Sequence, residues 1–163
     1  MTENATKNVF DVFMSEHAPI SELVERANKV LWDQSALDPV LKERMRIALA
    51  EAIGCSYCAR FRTDLEGALV LEADAELSAQ DQRRAELLEH LAAMAIARGE
   101  HSQESLDEHL GEIQKHFSEA EFTDVIFSLG WFSGMQYVGR LMHWDAACPV
   151  APIRRMVEAG EAA

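Results

Sequence analysis

The amino-acid sequence predicts an all-α fold of about seven to eight helices in a single domain spanning 1–163. Three observations lead there. No alternating Val/Ile/Thr run and no Asn-Gly hairpin signal occurs along the chain. Helix-start signals recur: Asp38 before Pro39, Ser78 with Asp81, and Ser118 with Glu121. Apolar residues fall at helical spacing, as in the stripe Leu106, Leu110, Ile113 and Phe117, with Glu104, Asp107 and Glu108 off it.

The elements follow in order. A first helix at 8–15 belongs to an N-terminal arm over 1–20. Ser21 is the natural cap of a helix at 22–35. Asp38 and Pro39 open a helix at 39–53, and Gly54 stops it. A further helix, 56–71, begins at Cys55-Ser56-Tyr57-Cys58. Ser78 caps 79–98, which Gly99 ends; Ser102 caps 103–117; Ser118 caps 119–144; and a last helix at 152–159 lies in a C-terminal extension over 146–163. The helix at 119–144 is apolar almost all round, so it is either central in the core or buried between subunits. Gly130 and Gly134, four apart, would let another helix come close to it.

Composition narrows the function. The formal net charge is −13, with 48% hydrophobic and 26% charged residues, which is ordinary for a globular chain except in its acidity. That acidity repels phosphate backbones and anionic lipid, so neither nucleic acid nor membrane is an expected partner. Asp11, Glu16 and His17 occupy the place an apolar signal-peptide core would need. A cytoplasmic location follows as an expectation. Three cysteines are too few for a disulfide scaffold, and in a reducing compartment a Cys-x-x-Cys pair is redox-active or metal-binding.

The chemistry gathers around that pair. At the start of a helix, Cys55 would lie by unpaired backbone N–H groups that favour a thiolate, with Cys58 one turn on and on the same face. Glu43, on the preceding helix, neighbours Val40, Ile47 and Ala50. It is either a carboxyl with a raised pKa placed for proton transfer, or a surface partner of Arg46 or Lys42. Arg62, four residues after Cys58, either stabilises a thiolate or anion or pairs with Glu66. Tyr57 either packs its ring or offers its hydroxyl to the sulfurs. A closed zinc site needs four ligands, and the chain has no second Cys-x-x-Cys and no closely spaced histidine pair; no metal or other cofactor is expected. The six histidines include no Glu-x-x-His, and His143 beside Trp144 reads as a partly buried hydrogen-bonding histidine before it reads as a member of the site.

Glu43, eleven intervening residues, then Cys55-x-x-Cys58 across a helix–turn–helix resembles the signature of the AhpD-like alkylhydroperoxidase branch of the carboxymuconolactone decarboxylase family. The stretches ELSAQDQRRAELLEHLAAMAIARGE and FSEAEFTDVIFSLGWFSGMQYVGRL, the latter with Arg140, resemble that family's following helices, and the likeness covers about 30–145. It implies an all-α homo-oligomer, a trimer or hexamer. It also implies a peroxidase in which Cys58 attacks the peroxide, Cys55 resolves the disulfide, Glu43 belongs to a proton relay, and a protein disulfide carrier is the reductant. The family's histidine four residues after the second cysteine is Arg62 here. Arginine polarises but does not transfer protons. Helix-end electrostatics alone favour Cys55 as nucleophile, and the choice between the two cysteines stays open.

Three functions are therefore expected, in this order: a cysteine-based oxidoreductase, peroxidase-related or exchanging thiols and disulfides; a decarboxylase-like enzyme with Arg62 on a small carboxylate and Glu43 as acid or base; and a non-catalytic binding or redox-sensing protein on the same scaffold.

Overall fold

The computed structural model describes residues 16–55, 58–59, 61–65, 68–69, 77–97, 100–141 and 154–156. Among them are five helices: α1 (Ala18–Asp33), α2 (Pro39–Ile53), α3 (Ala79–Ile96), α4 (Gln103–Gln114) and α5 (Glu119–Leu141). The core is helical, as the capping signals and apolar spacing require. Three short strands accompany it: β1 (Phe61–Leu65), β2 (Ala68–Leu69) and β3 (Arg154–Met156).

The caps behave as their chemistry dictates. Asp38 accepts from the N–H groups of Val40 and Leu41 at 2.8 and 3.3 Å, and Pro39 begins α2. Ser78 accepts from the Asp81 N–H at 3.1 Å, and Ser102 does the same for Ser105. At α5 the box is reciprocal. The Glu121 N–H donates to the Ser118 hydroxyl at 3.3 Å, while the Ser118 N–H donates to the Glu121 carboxylate at 2.8 Å. Ser21 is not a cap. α1 starts four residues earlier than the sequence suggests, after His17, because the fixed φ of Pro19 suits a first helical turn. α4 stops at Gln114 rather than 117, where the Lys115 and His116 N–H groups turn back to Glu112 and Ile113 carbonyls. The expected helix at 8–15 and the Gly99 stop lie outside the described residues.

Two expected helices contain strand. Within 56–71, residues 58–59 are helical as expected, but 61–65 and 68–69 are extended. β1 pairs antiparallel with β2 (Asp64 with Leu69, Leu65 with Ala68) and with β3 (Phe61 with Met156, Arg62 with Arg155, Thr63 with Arg154), giving the order β2-β1-β3. The expected helix at 152–159 thus contains an edge strand. The cause lies in Phe61-Arg62-Thr63-Asp64-Leu65, which alternates apolar or β-branched with charged residues at period two.

α2 is the central helix and packs against α3 and α5. Leu41, Met45 and Leu49 point into the core with Leu88, Leu91, Val125 and Phe132, all at most 1% exposed. α5 divides its apolar surface. Val125, Ser128, Phe132 and Gln136, at helical spacing, are buried, whereas Phe127 and Tyr137 are exposed. The α1–α2 loop is tied to α5 through Asp124, whose carboxylate accepts from the Ser35 hydroxyl at 2.9 Å, from the Leu37 N–H at 3.2 Å and from the Ala36 N–H.

Lys42 is fully buried. Its ammonium donates to the Leu31 carbonyl in the last turn of α1 and lies 5.3 Å from the centre of the Trp32 ring. Burial pushes its pKa down to about 8 against the pull of Asp124, Asp38 and Asp33. The unfolded chain, where lysine titrates near 10.4, therefore binds more protons than the folded one above about pH 8. Unfolding free energy measured in urea should rise between about pH 8 and about pH 10, by at most about 3 kcal/mol. The rise should vanish in Lys42→Met. A flat wild-type profile would show that burial does not perturb this lysine.

Candidate functional site

The junction between α2 and β1 is built by Cys55. Gly54 takes the left-handed conformation, φ 80°, that glycine adopts without penalty. Its N–H donates to the Glu51 carbonyl at 3.0 Å, and the Cys55 N–H donates to the Ala50 carbonyl at 2.8 Å. These two bonds make a Schellman closure of α2. The same residue then starts the next turn. The Cys55 sulfur accepts from the Cys58 N–H at 3.3 Å, and the Cys55 carbonyl accepts from the Ala59 N–H at 3.0 Å. Cys55 thus occupies the position of an N-cap, with sulfur where serine would place oxygen.

That turn is short, because β1 begins at Phe61. A long helix dipole does not stand behind Cys55. A backbone N–H, that of Cys58, reaches its sulfur, while the negative end of α2 lies directly before it. Both cysteines are thiols rather than a disulfide. Cys55 is half-buried and Cys58 only 3% exposed, packed into the core cluster.

Glu43 is 0% exposed and makes four hydrogen bonds. Arg46 Nε and Nη2 donate to its two oxygens at 2.8 Å each. The Thr63 N–H reaches Oε1 at 2.8 Å and the Thr63 hydroxyl reaches Oε2 at 2.9 Å. The third arm of the guanidinium, Nη1, donates to the Cys58 carbonyl at 2.9 Å. The Arg46 backbone carbonyl in turn accepts from Gln136 of α5 at 3.1 Å. A single turn of α2 therefore holds the cysteine turn through Arg46 and β1 through Glu43.

The expected raised pKa of Glu43 is not found. Burial alone would raise it, but the Arg46 guanidinium and the Thr63 donors outweigh burial and hold it below the ordinary value of 4.5. Both sequence readings are corrected by the same geometry. Glu43 pairs with Arg46, yet in the interior rather than at the surface. Its acceptor positions are filled, so it is poorly placed to carry a proton to sulfur.

Arg62 lies in β1, opposite Arg155, so the shared helix face that would have set it beside Cys58 does not exist. Tyr57, His143 and Cys148 lie outside the described residues. Arg46 and Thr63 are the functional neighbours the sequence reading passed over. Arg46 figured only as a surface partner, and nothing local marks Thr63, twenty residues from Glu43. Among the described residues no group of three His, Cys, Asp or Glu side chains is arranged to hold a metal ion.

Removing one member of this pair leaves the other charge buried. Glu43→Gln is expected to lower the unfolding free energy by about 3–5 kcal/mol in denaturant titration. A double Glu43→Leu, Arg46→Met variant should recover only part of the loss. The Thr63 N–H would lose its Glu43 acceptor and the Cys58 carbonyl its Arg46 donor, at about 1–3 kcal/mol for a buried group left unsatisfied. The wild-type contribution of Glu43 is present above its unfolded pKa of about 4.3 and is lost as pH falls through the lower folded value. Acid titration of Glu43→Gln should accordingly show a shallower loss than wild type below about pH 4.3.

Compared with protein-family models, curated proteins and solved structures, the chain matches none.

Proposed function

We propose that the protein is a dithiol oxidoreductase that cycles Cys55 and Cys58 between two thiols and an intramolecular disulfide. The observation that carries this reading is the placement of the pair. A half-buried Cys55 sulfur accepts the Cys58 N–H at 3.3 Å, and the Cys58 thiol sits behind it in the core. A backbone N–H donated to sulfur favours the thiolate, the nucleophilic form. Positions three apart on a helical turn are neighbours, within a small adjustment of the Cβ separation a disulfide needs.

Exposure assigns the roles. Cys55, the more accessible thiol, attacks and Cys58 resolves, the reverse of the order that the resemblance implies. With a disulfide substrate, the Cys55 thiolate attacks one sulfur and expels the other as a thiolate. Cys58 then displaces the second half from Cys55, leaving the Cys55–Cys58 disulfide. Two thiols supply two electrons and two protons, and the substrate leaves as two thiols. With a peroxide, Cys55 becomes a sulfenic acid as the alcohol or water leaves, and Cys58 condenses with it to release water. A thiol or dithiol protein reductant restores the pair. Thiol–disulfide exchange is preferred to peroxide reduction because Glu43, the carboxylate tied to the cysteine turn through Arg46, is held by Arg46 and Thr63. The same engagement weighs against a decarboxylase-like reaction with Glu43 as acid or base. Among the described residues no helix is long and apolar enough to cross a membrane.

The test uses a Cys148→Ser background, so that two cysteines remain. One equivalent of oxidised glutathione should remove both thiols and leave an intramolecular disulfide with no added mass. Adding Cys58→Ser should trap glutathione on Cys55. Adding Cys55→Ser should slow alkylation by iodoacetamide at neutral pH by at least about tenfold. Persistence of both thiols, or faster labelling at Cys58 than at Cys55, would sink the assignment.

A further inference from the structure

We propose that the outer face of α5 is a two-fold interface joining two copies of this chain through antiparallel α5 helices. The inference does not rest on the cysteines. It begins with a surface that solvent does not explain: Phe127 is 70% exposed, Tyr137 59%, Ile126 41% and Val138 38%. These side chains lie on one side of the helix, around Gly130 and Gly134. An alanine Cβ at either glycine would meet nothing within 4 Å, so the middle of the face is open. The helix carries no charged residue from 125 to 139, on a chain whose formal net charge is −13.

The order of residues along this face identifies the occupant. Counted outward from Phe132, the pattern reads the same in both directions: Gly130 and Gly134 at two residues, Phe127 and Tyr137 at five, Ile126 and Val138 at six. A two-fold interface must be complementary to itself, with residue i level with j and j level with i. An antiparallel second copy centred on Phe132 satisfies this. Gly130 comes opposite Gly134 of the copy, where the backbones approach most closely. The pair Ile126–Phe127 comes level with Tyr137–Val138 of the copy, an aromatic and a β-branched residue on each side.

Area sets the strength of this association, and charge agrees with the occupant. A fully exposed aromatic offers about 150–250 Å², so the four exposed fractions leave roughly 400 Å² per chain and roughly 800 Å² per pair. That total lies below the lower bound of about 1,200 Å² for standard specific interfaces, so the pair is a weak, reversible one. Two acidic bodies repel one another over most of their surfaces, and an uncharged face is where a second copy is least opposed.

Sedimentation of the full chain under reducing conditions, from about 1 to about 100 µM, tests the proposal over the range where a small interface exchanges with monomer. The expected result is reversible dimerisation to twice the 18.2 kDa of one chain, strengthened by added salt as repulsion is screened. Gly130→Leu should weaken association at least about tenfold by wedging the helices apart, without lowering the thermal midpoint. Phe127→Lys should do the same by placing charge in the interface. Should Phe127→Lys fail to fold, Gly130→Leu alone decides. A monomer throughout, or a dimer, trimer or hexamer unaffected by Gly130→Leu, would overturn the proposal.

Discussion

The contact between Glu43 and Arg46 is the constraint from which the rest of the site follows. Two ions buried together are stable only when the remaining donors and acceptors also find partners. Here they find them in the segment after α2. Thr63 takes both carboxylate oxygens a second time, and the Cys58 carbonyl takes the last guanidinium arm. Desolvation, which would otherwise expel such a pair from the core, instead forces the chain leaving α2 to return beside it. The cysteine turn is held in place by the electrostatic needs of the helix before it.

Much of the scaffold was readable because it is encoded locally. Asp38, Pro39 and Gly54 delimit α2 by backbone chemistry that acts within four residues. Ser78, Ser102 and Ser118 do so for the next three helix starts. What escaped was short or non-local. β1 alternates over only five residues and its hairpin partner β2 is only two residues long, while its other partner β3 lies about ninety positions away, outside any local window of sequence. Glu43 illustrates the same limit. Its helical neighbours suggested either an apolar setting with a raised pKa or a surface ion pair. The outcome was a third arrangement, a buried ion pair, decided by Thr63 on a different element. The cysteine pair was legible as a motif, but the length of the turn behind it was not, and that length sets how much helix dipole acts on sulfur.

α5 shows why hydrophobicity alone does not locate a helix. Its residues are apolar on nearly every side, which suited both a central core helix and an intersubunit one. The structure gives it one buried face and one exposed apolar face. Val125, Phe132 and the buried polar groups Ser128 and Gln136 turn inward, and Gln136 reaches the Arg46 carbonyl. The long helix thus connects the ion pair beside the cysteines with an exposed apolar surface. It does so by ordinary side-chain packing across residues 125–139, which carry no charged side chain.

Position 55 has a further implication. Closing one helix and beginning the next turn asks this residue for an amide and a side-chain acceptor, and oxygen meets the second demand better than sulfur, which accepts weakly. Serine, threonine or aspartate would serve the architecture at least as well. The larger thiol sulfur in that place is therefore more than the backbone closure needs; it packs against the core cluster and leaves at the turn the thiol on which the proposed chemistry rests.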